Sequence, residues 1–400
     1  MNPEKQSKDH ETQQKYGNHR IIALSSNVPL AEHMSKELEI KIIPSKFGSF
    51  ANGERICKIG EGIGVYDAED ANGVRGHDVI IVGSGTNTNK IPLQVKAKII
   101  DQLLSELSKI LFSGGDLVAS LEKIEQIRSI VETLNSDNSS INDYLMEIIF
   151  TIQGCALSSA KSITVVCPHL PYARSDKKDH RGSIGAKAVI SMFEHFGATR
   201  VICVDLHAAQ ITGFSNKMPI DNLYAINVLS ESLKENFDLK NLALFSPDEG
   251  GSKRMNGYAE ILKISEYHTM TKKRDYSTEN KVGEIKILGS PELKGKDPVL
   301  IDDMIDTGNT MCKAADVICA AGAEPATFVA THGIFGYPAI ELINGSKFVK
   351  QVIVSDSMPL GDLKTLMPKL KIVSIHPLIT EAIRRIIEGK SISAMFHKKN

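Results

Sequence analysis

No uninterrupted apolar stretch in the chain approaches the ~18 residues that a membrane-spanning helix requires, so no such helix is expected. The start of the chain, 1–18, has no apolar run of the kind a signal peptide needs, and it reads as a disordered polar tail. Charge of one sign is also missing. The 47 Lys and Arg against 48 Asp and Glu leave a formal −1, which argues against a nucleic-acid or membrane surface at large. Any anion site must therefore be built locally. The six cysteines (57, 155, 167, 203, 312, 319) form no CxxC pair and mostly sit in apolar runs, which suits buried reduced thiols in a cytoplasmic protein. Gly389-Lys390-Ser391 looks like the end of a P-loop, but Arg384 stands where its first glycine is needed, so there is no Walker A motif.

What is present is an ordinary apolar fraction, 42%, over 400 residues, enough for two or three domains with proper cores. Short β-rich runs begin at His19, Asp78, Ser162, Thr199, Leu242, Pro298, Thr327 and Gln351, and helical segments separate most of them. That alternation predicts an α/β fold of mainly parallel sheets flanked by helices, with functional loops at the carboxyl ends of the strands. The motifs fall into two halves, read as domains over 19–225 and 226–400. The stretch 96–138 is different. Its Leu and Ile recur at helical spacing on both sides of Gly114-Gly115, which predicts a helical hairpin inserted in the first domain. Its apolar stripe needs cover, first from the host domain, otherwise from a partner helix.

One stretch organises the rest. Val299 to Ile301 read as a buried strand, Asp302 and Asp303 follow where it is expected to end, and Asp306-Thr307-Gly308-Asn309-Thr310 make a tight turn before a helix. The turn's N–H groups and the positive helix end can take a phosphate. The two carboxylates can accept hydrogen bonds from ribose hydroxyls or hold a hydrated metal. A plain cap and turn would use the same residue types.

Other strand ends carry chemistry too. Arg174, Ser175, Asp176, Lys177, Lys178 and Asp179 concentrate charge after the strand at 162 and suit a polyphosphate, although a solvated loop is equally compatible. Asp205 and His207 end the next strand, where a histidine can be a metal ligand, a base or a phosphate donor. Asp248 and Glu249 could serve Mg²⁺, and Lys253 and Arg254 could serve phosphate. Lys272, Lys273 and Arg274 lie in a polar connection that could close over a polyphosphate.

Taken together, these segments resemble the ribose-phosphate pyrophosphokinase (PRPP synthetase) family from about residue 19 to 396. The ordered series comprises Phe50 to Glu54, Pro171 to Asp179, Asp205 to Phe214, Pro219 to Ala225, Ser246 to Gly251, Lys272 to Arg274, the 302–310 motif, Thr331 to Phe335 and Glu381 to Arg385. Ordinary phosphoribosyltransferases share only the 302–310 motif.

The resemblance implies two phosphoribosyltransferase-like domains and transfer of pyrophosphate from MgATP to ribose 5-phosphate. It also implies dimers assembled into a hexamer, or hetero-oligomers with paralogues. Carried over residue by residue, it assigns Phe50, Asn52 and Glu54 to the adenine of a neighbouring subunit. Arg174, Lys177, Asp179 and His207 would hold ATP, His207 and Asp248 would meet Mg²⁺, and Lys272, Arg274 and His207 would be catalytic. Asp302, Asp303, Asp306, Thr307, Gly308, Asn309 and Thr310 would bind ribose 5-phosphate. The chain departs from the family at Ser175, where Gln is usual, in the Asp-Thr-Gly-Asn-Thr loop, in extra residues between Glu61 and Arg75, and in the hairpin. A non-catalytic subunit that regulates a catalytic paralogue is the alternative function.

Overall fold

The computed structural model describes residues 16–60, 73–86, 93–113, 117–134, 139–265, 267–272, 285–289, 291–361 and 363–396. In the first half the elements are β1 (His19–Ala23), α1 (Val28–Leu38), β2 (Ser45–Ser49), β3 (Arg55–Ile59), β4 (Asp78–Val82), α2 (Leu93–Phe112), α3 (Leu117–Leu134), α4 (Ile141–Leu157), β5 (Ser162–Val166), α5 (Gly185–Phe196), β6 (Arg200–Val204) and β7 (Ile220–Leu223). In the second they are α6 (Ile226–Asn236), β8 (Leu242–Ser246), α7 (Ser252–Leu262), β9 (Tyr267–Lys272), β10 (Ile285–Ile287), β11 (Asp297–Ile305), α8 (Asn309–Ala320), β12 (Ala326–Gly333), α9 (Ala339–Gly345), β13 (Val349–Ser355), α10 (Leu363–Leu366), β14 (Leu370–Val373) and α11 (His376–Ile387).

Among the described residues the strands form three sheets. A parallel sheet runs β1-β4-β5-β6-β7, and a larger one runs β10-β9-β8-β11-β12-β13-β14 with only the β10–β9 pair antiparallel. The third is the ribbon β2-β3. The α/β class and the parallel sheets flanked by helices are thus as the alternating pattern predicts. Central strands such as Leu242–Ser246 are buried throughout, which is why they read as continuous apolar runs.

Two expectations need correction. The polar tail does not extend to residue 18, because Tyr16 to Asn18 make a turn and the Tyr16 hydroxyl donates to Glu388 at 2.6 Å. Most consequentially, β11 does not stop at Ile301. Its partner β12 runs on to Gly333, and the ladder continues to Ile305, so Asp302 and Asp303 lie inside the strand. The other neighbour, β8, pairs only as far as Leu300. Beyond that point the β8 flank of β11 is open for side chains from α7.

The two sheets are joined by one apolar cluster and a polar seam. Leu30, Ala31 and Met34 of α1 share a buried cluster with Ile379, Ala382 and Ile383 of α11. Asn27 caps α1, its side chain accepting from the Leu30 N–H at 3.4 Å, and its Nδ2 donates to Ser84 Oγ and to the Ser357 carbonyl. His332 of β12 contacts the Val204 carbonyl through Nε2 at 2.9 Å.

The ribbon is anchored by charge. Arg55 of β3 pairs with Glu147 of α4, whose carboxylate has no exposed area and also accepts from the Ser25 N–H and hydroxyl at 2.7 and 2.8 Å. A buried cation left without its partner is expensive. Glu147→Ala is therefore expected to destabilise the chain by about 3–5 kcal/mol, read as a lower urea midpoint. An unchanged midpoint would mean that the pair does not hold the ribbon.

Candidate active site

Parallel strands bring their carboxyl-end loops to one edge, and here the edges of the two sheets meet. His207, two residues beyond the β6 loop's first position, contacts Asp303 of β11 through Nδ1 at 2.7 Å. Arg174, on the loop after β5, donates to Asp306 at 2.7 Å. Thr331 of β12 donates its hydroxyl to Asp205 at 2.6 Å, and the half-buried Asp205 carboxylate also accepts from the Ala225 N–H. Asp205 has φ +43°, a left-handed conformation rare for a residue with a side chain, and these two bonds hold it there.

Arg254, which by its sequence context could serve phosphate, reaches from α7 past the end of β8 and donates to Asp302 at 2.9 Å, with Asp303 at 3.5 Å. Nothing in the spacing of the sequence marks that pairing. It follows from β11 outrunning β8.

The cluster divides two adjacent acids into different states. Burial, then the neighbouring Asp303 carboxylate, pushes Asp302 up to about 8. Against the cost of burial, hydrogen bonds from His207 and Asp302 and the charge of Arg254 hold Asp303 well below the usual carboxylate range. The hydrogen bond to Asp303 raises His207 in turn, with burial opposing. Next to the acids, Gly308 takes φ +72° and starts α8 with no side-chain cap, the kind of helix start whose first-turn N–H groups can receive an anion.

Other candidates whose side chains are described are not drawn into this cluster. Phe50, Asn52 and Glu54 occupy the exposed tip between β2 and β3, where the Asn52 side chain accepts from the Glu54 N–H. Lys177 and Asp179 are exposed on the 168–184 loop. Asp248 caps a short turn, accepting from the Gly250 N–H at 2.9 Å, and makes no recorded contact with His207. Lys272 ends β9, and Arg274 lies outside the described residues.

Among the described residues no three His, Cys, Asp or Glu side chains converge as a metal cage. The exposed Asp248 carboxylate and the half-exposed His207 suit a hydrated Mg²⁺ held mainly by substrate phosphates.

Residues 97–197 match the family model for the N-terminal domain of ribose phosphate pyrophosphokinase, and 277–397 match that of the phosphoribosyl synthetase-associated domain. The chain is also similar to phosphoribosylpyrophosphate synthetase from Mycobacterium smegmatis, at 27% identity and a TM-score of 0.70 over 93% of this chain and 99% of that one. It belongs to the ribose-phosphate pyrophosphokinase family. Two further solved structures resemble parts of it only. Purine phosphoribosyltransferase from Pyrococcus horikoshii aligns with 28% of this chain and 74% of its own at 21% identity and a TM-score of 0.24. APRTase from Giardia lamblia aligns with 32% and 77% at 12% identity and a TM-score of 0.25.

The His207–Asp303 pair is open to titration. His207 in the folded chain stands above its ordinary 6.5, so its stabilising share is complete below 6.5 and is lost as pH rises through the raised value. Asp303 stands below its ordinary 3.8, so its share is present above 3.8 and lost as pH falls through the lowered value. Asp303→Asn removes the negative charge and leaves only a neutral amide oxygen to accept from His207. The His207 pKa, followed by NMR of its ring in metal-free protein, is expected to fall toward 6.5; an unchanged value would show that the pair does not form in solution.

Proposed function

We propose that the chain is a ribose-phosphate diphosphokinase that transfers pyrophosphate from MgATP to the 1-hydroxyl of ribose 5-phosphate, giving PRPP and AMP. The observation that carries this reading is the meeting of the two sheet edges, where His207 and Arg174 of the first half touch Asp303 and Asp306 of the second. A site with a sugar-phosphate seat on one side and cations on the other suits a reaction joining a sugar to a nucleotide.

In this reading Asp306 to Thr310 bind the 5-phosphate at the uncapped start of α8. Asp303, ionised, accepts from a ribose hydroxyl, and Asp302, held toward its protonated form, can donate as well as accept. Arg174, Lys177, Asp179 and His207 hold the ATP, with Phe50, Asn52 and Glu54 contacting adenine from a neighbouring subunit of a homo-oligomer. His207 and Asp248 would hold Mg²⁺, which would supply positive charge to the phosphates. The 1-hydroxyl then attacks the β-phosphorus with AMP leaving. That step needs in-line positioning and positive charge on the transferred group more than covalent participation by the protein. Lys272 and Arg274 supply that charge, and the reaction takes place in the cytoplasm.

The test is AMP and PRPP formation by the purified chain with MgATP, ribose 5-phosphate and phosphate. Steady turnover is expected, reduced by about 10²-fold or more in Lys272→Ala with ATP binding nearly intact. Unchanged turnover in that variant would remove Lys272 from the mechanism. A second reading, a non-catalytic subunit of a catalytic paralogue, is favoured by the inserted α2–α3 hairpin alone. It would be established by folded chain that binds ATP or ribose 5-phosphate and never turns over.

A further inference from the structure

The loop after β5 carries Arg174, Lys177 and Asp179, all assigned above to ATP, and its two parts are held differently. From Lys177 to Gly182 every residue is exposed, and the tip bonds only to itself: the Gly182 N–H donates to the Asp179 carbonyl at 2.7 Å, and His180 Nε2 lies 3.5 Å from Asp179. The flank before it is fastened from outside. Arg174 donates to Asp306 of the second half, and Asp176 accepts from Gln210 at 2.5 Å, on the turn that follows His207.

Ser175, between those two, closes the neck of the loop. Its hydroxyl oxygen accepts from the Gly185 N–H at 2.9 Å, ten residues on, and its carbonyl accepts from the Ala186 N–H at 3.0 Å. Gly185 opens α5, and Ile184 before it offers no side-chain cap. Ser175 therefore caps α5 from a distance, satisfying a first-turn N–H that the helix leaves without a partner. The approach is close. A Cβ on Gly185 would fall 3.1 Å from the Ser175 Cβ and 3.2 Å from its oxygen, tighter than ordinary contact, so a residue without a side chain suits position 185.

We propose that Ser175 is a positioning residue for ATP, tying the neck of the loop to α5 so that the charged tip is held where Lys177 and Asp179 meet the nucleotide. This rests on the reading of ATP binding given above. A tip released at its neck samples more conformations, and ordering it again is subtracted from binding. Ribose 5-phosphate is affected less, because its seat lies on the second half and Arg174 and Asp176 keep partners of their own.

The experiment measures MgATP binding by calorimetry and steady-state turnover for the full chain, Ser175→Ala and Ser175→Thr. Ser175→Ala removes the acceptor and is expected to raise Kd and KM for ATP by about threefold or more, with the circular dichroism spectrum unchanged. Its kcat and its KM for ribose 5-phosphate are expected to stay within about twofold. Ser175→Thr keeps the hydroxyl and is expected to restore the ATP values. A serine that served stability alone would lower the urea midpoint without separating the two substrates. Another arm needs neither turnover nor ATP: trypsin is expected to cut after Lys177, Lys178 or Arg181 faster in Ser175→Ala than in the parent or in Ser175→Thr. Equal ATP affinity in the parent and in folded Ser175→Ala overturns the positioning role, and so does equal proteolysis. A parent that binds ATP without turning over removes the catalytic reading alone, and the binding and proteolysis arms still decide the role of Ser175. A parent that binds no ATP overturns both.

Discussion

Asp302 and Asp303 place two carboxylates on consecutive residues of a strand flanked by apolar neighbours, and such a pair cannot keep both charges without help. The structure supplies one cation from each half of the chain. Arg254 comes from the helix after β8, and His207 comes from the loop after β6 in the other sheet. Both acids are drawn on by Arg254, but only Asp303 also has the histidine, and the neighbours diverge: one is held ionised, the other is pushed toward protonation. The charge balance of a single dipeptide thus demands that two sheets meet at their carboxyl edges.

That meeting is supported by contacts remote from any substrate. The shared apolar cluster of α1 and α11 sets the distance between the halves. Thr331 to Asp205, His332 to the Val204 carbonyl and Asn27 to the Ser357 carbonyl set their registration. Burial keeps His332 below its ordinary value, which suits a neutral ring in a polar seam without a free counter-ion. The left-handed Asp205 stores backbone strain two residues before His207, and its two hydrogen bonds offset that cost while aiming the histidine across the gap.

The α2–α3 hairpin belongs to the same edge. It leaves after β4 and returns at α4, and both points adjoin the 168–184 loop. The Gly85 N–H donates to the His169 carbonyl at 2.9 Å, and Tyr172 bonds to Asn142. A side chain at 85 would collide with Pro171, its Cβ falling 2.5 Å from the proline Cδ, so only glycine lets the chain pass there. The hairpin therefore adds surface beside the site without opening the core: Leu145, Ile148, Ile149 and Ile152 of α4 stay buried under the first sheet.

Alternating apolar and helical runs, turn residues and strand-end charge clusters are local properties, and they sufficed for the α/β class, most central strands, the hairpin's helices and the turn at Asp306 to Gly308, although α8 already begins at Asn309. Three of the four outer strands of the two large sheets escaped notice, as did β9. β7, β10 and β14 have only four, three and four residues, with one side unpaired, which is too short to show a period. The end of β11 was misplaced for a related reason. Carboxylates in sequence look like a strand's end, and only a longer neighbour, β12, keeps them in the ladder. The sequence alone determined which side chains stand at strand ends and which turn can seat an anion, because both depend on residues close together in the chain. Only the tertiary structure decided that Arg254 serves the acids and that His207 reaches Asp303, because each depends on the packing of segments far apart in sequence.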